Sequence, residues 1–389
     1  MLSVLGFLVF AGVPASAAVT HTYLSQLTGF GEPTAVAVDA AGDVYVVDSS
    51  AGTVDRFSSA GAPLAFSASE SYVEGSKLTG TPGGSFGEPR GVAVNDENGD
   101  LYVADRTAGV VDVFSSTGVY LSQLTGPPAT APVPGPFQCP WGLAVDQSTH
   151  DLYVTNTCEG AVVDVFSSTG VYVSQFGAGV VNGFSRGVAV NDLTGDAYIE
   201  TTSEGGGSSS EVDVFGSMGS FLTPAWNGAG TPEGPFGFDT LHVGLDPTTH
   251  HVYVIDARSG VVDEFAASAS EEYLGQLTGT PAGPFSGPQA VAVNPANGDL
   301  YVADGGEGSG VVDVFGPAIE VPGTSVQAAT GLTTTTAVVS GSVNPAGIQV
   351  TACEFEYGTS TSYGQSAPCE PAPAQIGAGN SPKAVTANL

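Results

Sequence analysis

Three sets of residues in this chain have types and spacings that could do chemistry. Gly183-Phe184-Ser185-Arg186-Gly187 has the G-x-S-x-G form in which hydrolases lift a nucleophilic serine on a sharp strand-to-helix turn. Asp96-Glu97-Asn98-Gly99-Asp100 opens as a calcium loop does, with oxygen-bearing side chains at alternate positions that can crowd around a hard cation. The third set is arginine: Lys and Arg total 7 against 39 Asp and Glu, and Arg90, Arg106, Arg186 and Arg258 are four of those seven. Guanidinium groups that converge can hold a carboxylate or sulfate through paired charge-assisted hydrogen bonds, and an indole such as that of Trp141 can stack beside them.

What these residues can do depends on the elements that carry them. A phrase of the form Gly-Val-Ala-Val-Asp occurs six times, at 35–39, 91–95, 142–146, 187–191, 242–246 and 290–294. Each copy is followed by a turn and a strand built around Tyr45, Tyr102, Tyr153, Tyr198, Tyr253 or Tyr301, so that these tyrosines lie 45 to 57 residues apart. A third strand ends in Phe57, Phe114, Phe166, Phe215, Phe265 or Phe315, and a fourth, near Tyr72, Tyr120, Tyr172, Phe221 and Tyr273, carries a Tyr-Leu-x-Gln pattern. Asn98-Gly99 and Asn297-Gly298 predict two-residue hairpins with positive φ, and His150 and His250 fill the same slot in other copies. Each copy is then a four-stranded antiparallel unit with two apolar faces, and such units hide both faces only by stacking around an axis, as a β-propeller does. After Phe315 no fourth strand follows, whereas "TYLSQLTG" stands at Thr22–Gly29. The expected fold is all-β: a six-bladed β-propeller over 18–317, closed by its N-terminal strand.

The six copies resemble the NHL repeat, whose usual form runs from Pro-x-Gly-Val-Ala-Val-Asp through a hairpin to Tyr-Val-Ala-Asp and a strand ending in Phe. The resemblance covers residues 18 to 317 and implies a six-bladed β-propeller. The Asn-Arg pair that often opens the third strand is replaced here by "AGTV", "GVV", "AVV" or "EV", so no role of that pair is implied. Beyond it, "VSGSVNPAG" and "FEYGTSTSYG" resemble fibronectin type III-like modules of exported bacterial proteins. About 70 residues remain where such a sandwich needs roughly 100, so 318–389 is expected to be a partial, truncated module.

Composition fits this outline. Charged residues are only 12% of the chain and Gly (55) and Pro (26) are abundant, as in strands joined by tight turns. A formal net charge of -32 repels phosphate backbones and anionic headgroups, which excludes nucleic acid as a partner. Residues 1–17, with an apolar run and Ala15-Ser16-Ala17, read as a signal peptide, although no Lys or Arg precedes the run. After its removal no membrane insertion is expected, and the protein should be secreted or at the cell surface, as a monomer. In that setting four cysteines predict two disulfides. Cys139 stands just before a first strand and Cys158 just after the second, so the hairpin brings them together, and Cys353 with Cys369 closes a short loop. Neither pair has the C-x-x-C spacing or nearby His of a zinc site.

The repeat also sorts the opening candidates. Ser185 falls in the link before a first strand, with His150, His250 and His251 on the opposite rim and His21 in the closing strand. Only His242 could approach Ser185, so no triad assembles and no catalytic residue is assigned. Asp96–Asp100 shares its slot with "PANGD" and "DAAGD" and lacks the downstream Glu, so a hairpin turn accounts for it. Asp55, Asp112, Asp164, Asp213, Asp263 and Asp313 recur two places before the Phe of every third strand, which points to a repeated hydrogen bond. The informative position is the one before each first-strand phrase, Thr34, Arg90, Trp141, Arg186, Leu241 and Gln289, which should ring one mouth of the central channel, with Arg106 and Arg258 on the same rim. Either these arginines pair with neighbours such as Asp105 and Asp256, or Arg90, Arg106, Trp141, Arg186, Arg258 and Gln289 form an anion site. The expected function is a binding module for a protein, peptide or glycan, with no cofactor or metal. The alternative is a propeller enzyme of lyase or lactonase type with a metal in the channel.

Overall fold

The computed structural model describes residues 18–158, 161–181, 183–202, 210–237, 240–267, 271–305, 310–321, 323–345, 349–358, 364–379 and 381–389. The expected signal peptide, 1–17, lies outside them. Two compact units are present, one of residues His21–Pro317 and one of Ala318–Leu389 with the strand Ala18–Thr20.

Among the described residues, the larger unit contains six antiparallel sheets of four or more strands. The first runs Pro33–Val38, Val44–Asp48, Thr53–Phe57, and the second Pro89–Asn95, Asp100–Asp105, Val110–Phe114, Tyr120–Leu124. The third runs Pro140–Asp146, Asp151–Asn156, Val162–Phe166, Tyr172–Phe176, and the fourth Val188–Val190, Ala197–Thr202, Ser210–Phe215, Phe221–Trp226. The fifth runs Thr240–Leu245, Val252–Asp256, Val261–Ala266, Glu272–Leu277. In the sixth, Pro288–Val293, Leu300–Asp304 and Gly310–Phe315 are joined by Tyr23–Phe30 from the start of the chain. Tyr23 pairs with Phe315 and Gln26 with Asp313, in the places that a fourth strand occupies elsewhere.

Second strands such as Val44–Asp48 and Leu300–Asp304 are buried at every position, because strands flank them on both edges and neighbouring sheets cover both faces. Apolar clusters lie between consecutive sheets: Tyr45, Val92 and Phe114 between the first and second, for example. A further cluster joins Tyr301 and Val312 of the sixth sheet to Val36 and Val44 of the first. The succession therefore returns to its start, and the unit is a β-propeller. Gly91 and Gly142 permit the close approach of inner strands, since a Cβ there would strike the carbonyl oxygens of Trp141 and Arg186.

Three local expectations are corrected. Near Tyr72 the outer strand is the short Lys77–Leu78, paired with Val73–Glu74, because "YVEGSKL" holds two more residues than "YLSQL" and folds back on itself. Tyr72 instead buries its ring, and its hydroxyl accepts the Tyr120 N–H at 2.9 Å. The hairpin after Pro89–Asn95 has a four-residue loop, as Asn95 pairs with Asp100 and only the last loop residue, Gly99 (φ 74°), turns left-handed. His150 (φ 62°) and His250 (φ 60°) take that conformation where Gly is missing. Residues 18–20 pair with 319–321 rather than extending the closing strand.

Five of the six repeated aspartates are buried acceptors, whereas the Oδ1 of Asp313 has no partner among the described residues. Gln123, Gln175 and Gln276 of the fourth strands donate to Asp112, Asp164 and Asp263 at 3.1, 2.7 and 3.0 Å. Lys77 pairs with Asp55 at 2.6 Å and Thr201 donates to Asp213 at 3.0 Å. The Gln of the Tyr-Leu-x-Gln pattern thus ties third strands to fourth.

The smaller unit has a three-stranded sheet, Gly323–Val326, Val338–Asn344 and Lys383–Asn388, and the hairpin Glu354–Tyr357 with Gln365–Pro368. Val339, Val343, Phe355, Ile376 and Val385 fill its core, and Cys353 bonds Cys369.

Candidate functional site

First strands open with a bulge at one mouth of the channel. Pairing skips from Pro33 to Ala35, Pro89 to Gly91, Pro140 to Leu143, Thr240 to His242 and Pro288 to Ala290. The skipped residues include Thr34, Arg90, Trp141, Leu241 and Gln289, and an unpaired residue in a bulge is free to re-aim its side chain. The backbone before each bulge is anchored by the end of the second strand: Asp48 accepts N–H bonds from Gly31 and Glu32, Asp105 from Gly87 and Glu88, and Asn156 from Gln138 and Cys139. Cys139, bonded to Cys158, adds a covalent clamp beside Trp141. In the fourth sheet, which lacks the proline, the Arg186 N–H donates instead to the Glu200 carboxylate at 3.0 Å.

These residues enclose a cavity of about 190 Å³ lined by Thr34, Arg90, Trp141, Arg186, His242 and Gln289, with Val92 and Leu143 beneath. The guanidinium carbons of Arg90, Arg106 and Arg186 lie 5.1, 5.1 and 5.4 Å from the Trp141 ring centroid. The indole therefore gathers three cations, and its role is to hold guanidiniums rather than to offer a bare stacking face. Arg258 does not line this cavity; it is exposed, with its stem over Gly237. Leu241 is placed by its backbone only.

The partners of the arginines differ from expectation. Asp105 is occupied by backbone N–H groups and Asp256 by Ser259. Glu88 does the pairing: it accepts from Arg90 Nε and Nη2 at 2.9 and 2.6 Å and from Arg106 Nη1 at 3.0 Å. Burial opposes its charge, but the bonds from Arg90 and Thr107 and the charges of Arg90 and Arg106 hold the carboxyl below its usual range. Glu32 lies 3.9 Å from Arg90. Glu88 and Glu32 meet Arg90 and Arg106. Arg186 makes no ion pair among the described residues and its Nε has no hydrogen-bond partner there, and the acid that feels its charge is the buried Glu200.

Two further groups bear on the site. Burial pushes the Glu200 carboxyl up to about 7, against the bonds from the Arg186 N–H and Thr202. Burial also pushes the His242 imidazole down to about 4, so the ring is neutral, and its Nδ1 has no partner among the described residues. Sequence reasoning missed Glu88 and Glu200. Glu200 was detectable, because Val47, Ala104, Thr155, Ile255 and Ala303 hold its place in the other repeats. Ser185 is buried, and a strand rather than a helix begins at Val188, so the nucleophile-elbow geometry is absent. Asp96 accepts the Ala40 N–H and Asp100 the Asn98 amide, as turn residues do.

A family model for the NHL repeat matches residues 86–109 and 137–163, the segments that carry Arg90 and Trp141. The chain contains NHL repeats. No curated protein matches by sequence. Among solved structures, a gluconolactonase from Xanthomonas campestris is similar at 16% identity and a TM-score of 0.53, over 79% of this chain and 98% of that one. Virginiamycin B lyase from Staphylococcus aureus has 12% identity and a TM-score of 0.47, over 74% and 82% of the two chains. Hydrazine synthase of Kuenenia stuttgartiensis has 13% identity and a TM-score of 0.48, over 72% and 94%. At such identities the likeness to the gluconolactonase is one of fold. Within the NHL repeats it is the residues of the bulges, which differ from one repeat to the next, that give the mouth its character.

Proposed function

We propose that the protein is an exported binding module: a six-bladed propeller, closed by Tyr23–Phe30 and followed by a fibronectin type III-like module, that holds an anionic group of a protein, peptide or glycan at the arginine-lined mouth. The observation that carries this reading is Arg186, a guanidinium stacked on Trp141 at 5.4 Å with no carboxylate partner among the described residues, in a chain of net charge -32. A charge-assisted contact in such a partly enclosed mouth contributes about 1.5 to 3 kcal/mol. The disulfides Cys139–Cys158 and Cys353–Cys369 support an oxidising, extracellular setting. Among the described residues no helix is long and apolar enough to cross a membrane.

The fold likeness to a gluconolactonase favours a second reading as a metal-dependent propeller enzyme. The residues at hand fit a metal poorly. His242 is the one imidazole lining the mouth, and among the described residues no group of three His, Cys, Asp or Glu converges as ligands. Screening purified protein and Arg186→Ala on glycan and peptide arrays tests the binding reading, which expects ligands that the variant loses while its melting temperature holds. Binding that survives Arg186→Ala would overturn it, and stoichiometric zinc or calcium in the purified protein would favour the enzyme.

A further inference from the structure

Building on that proposed binding role, we infer that the group taken into the mouth is one acidic sugar residue, a uronic acid at the end of a glycan. One guanidinium with no ion pair among the described residues, Arg186, matches one carboxylate. Around it stand uncharged polar groups in need of partners. Thr34 is only 7% exposed and its Oγ1 has no partner among the described residues, nor has His242 Nδ1, and the amide of Gln289 lines the same cavity. Buried polar groups left unpaired are costly, so a ligand that supplies several hydroxyls restores more here than one that supplies only charge. Because the imidazole stays neutral until about pH 4, His242 reads a hydroxyl rather than a second anion.

Size and shape point the same way. A cavity of about 190 Å³ is somewhat larger than the roughly 150 Å³ that takes one benzene ring, which suits a single sugar ring with the rest of its chain outside. Val92 and Leu143 beneath can meet the C–H face of the ring. The terminal carboxylate of a peptide is the weaker match. It brings one amide N–H and an apolar or aromatic side chain, whereas guanidiniums already crowd Trp141, the aromatic ring that lines the cavity.

Calorimetry with the full chain can decide, using glucuronate and a glucuronate-terminated tetrasaccharide, glucuronate methyl ester, glucose, hexanoate and acetyl-Ala-Ala as probes. The glucuronate ligands should bind at least about tenfold more tightly than the neutral ester, glucose, hexanoate or the peptide. Arg186→Ala should lose that binding, and Thr34→Val should weaken it while leaving any weak binding of hexanoate unchanged. If hexanoate and acetyl-Ala-Ala bind as tightly as the glucuronate ligands and need Arg186, the sugar assignment falls and the anion-binding mouth stands. If none of the probes binds to folded protein, the sugar assignment falls, and the array screen with Arg186→Ala judges the mouth separately.

Discussion

His21 Nε2 lies 3.1 Å from the Glu264 carboxylate, although 243 residues separate the two in the chain. The other ring nitrogen, Nδ1, faces the Gly316 carbonyl at 2.9 Å, so both can donate only when the ring is an imidazolium. His251 Nδ1 and the Tyr253 hydroxyl, 2.6 and 3.1 Å away, donate to the same Glu264. The start of the closing strand is thereby tied to the neighbouring fifth sheet as well as to its own.

This tie should depend on pH at both ends. Burial would lower the His21 pKa, but Glu264, Gly316 and the charge of Asp246 raise it above 6.5, so its contribution is complete below 6.5 and lost as pH rises through the raised value. Glu264 is held below 4.5 despite burial, by His21 and His251, so its contribution is lost only in acid. Replacing His21 with Gln should lower the melting temperature at pH 6 and matter less at pH 9, as scanning calorimetry at both can check. Deleting 18–29 should do more, exposing the edge of Gly310–Phe315 and promoting aggregation. Unchanged melting and solubility after that deletion would contradict closure by this strand.

Stability as a whole should peak in mildly acidic solution. Burial raises Asp112, Asp164, Asp213 and Asp313 to about 6 and Asp263 and Glu200 to about 7. A raised carboxyl stabilises fully below its unfolded value and loses that contribution as pH climbs through the folded one, about 1 to 3 kcal/mol per buried group. His242 acts oppositely, costing stability as pH falls from 6.5 toward 4. Melting temperature should therefore be higher near pH 5 than at pH 8. Asp164→Asn, which can keep the bond from Gln175, should raise melting at pH 8 and change it little at pH 5.

Trp141 is expected to organise the mouth. Trp141→Ala removes three guanidinium contacts of about 0.5 to 2 kcal/mol each and should weaken binding of an anionic ligand at least tenfold. Trp141→Phe should recover part of that affinity. Equal loss in both variants would mean that the indole meets the ligand through its N–H rather than serving the arginines.

The disulfide beside it should matter for the same reason. Cys139→Ser opens a bridge that spans 19 residues, worth about 3 kcal/mol, and should loosen the bulge at Trp141, lowering affinity along with melting temperature. Cys353→Ser, which opens the bridge in the smaller unit, should leave affinity unchanged.

The sequence by itself determined the repeat and its strands. Strand alternation and turn residues are local, and six copies of one pattern show which variations are tolerated. The bulged position after each proline was legible for the same reason, as was the Asp and Gln spacing that becomes a hydrogen bond between third and fourth strands. Partnership across the ring was not. Glu88 taking Arg90 and Arg106 in place of Asp105, three guanidiniums sharing Trp141, and His21 reaching Glu264 depend on which side chains converge when sheets from distant parts of the chain pack. Only the tertiary structure decided that the Arg186 guanidinium has no ion pair among the described residues and that Arg258 stands apart from the cavity, because a charge is paired or not according to distances of a few ångströms in space, which spacing along a chain does not encode.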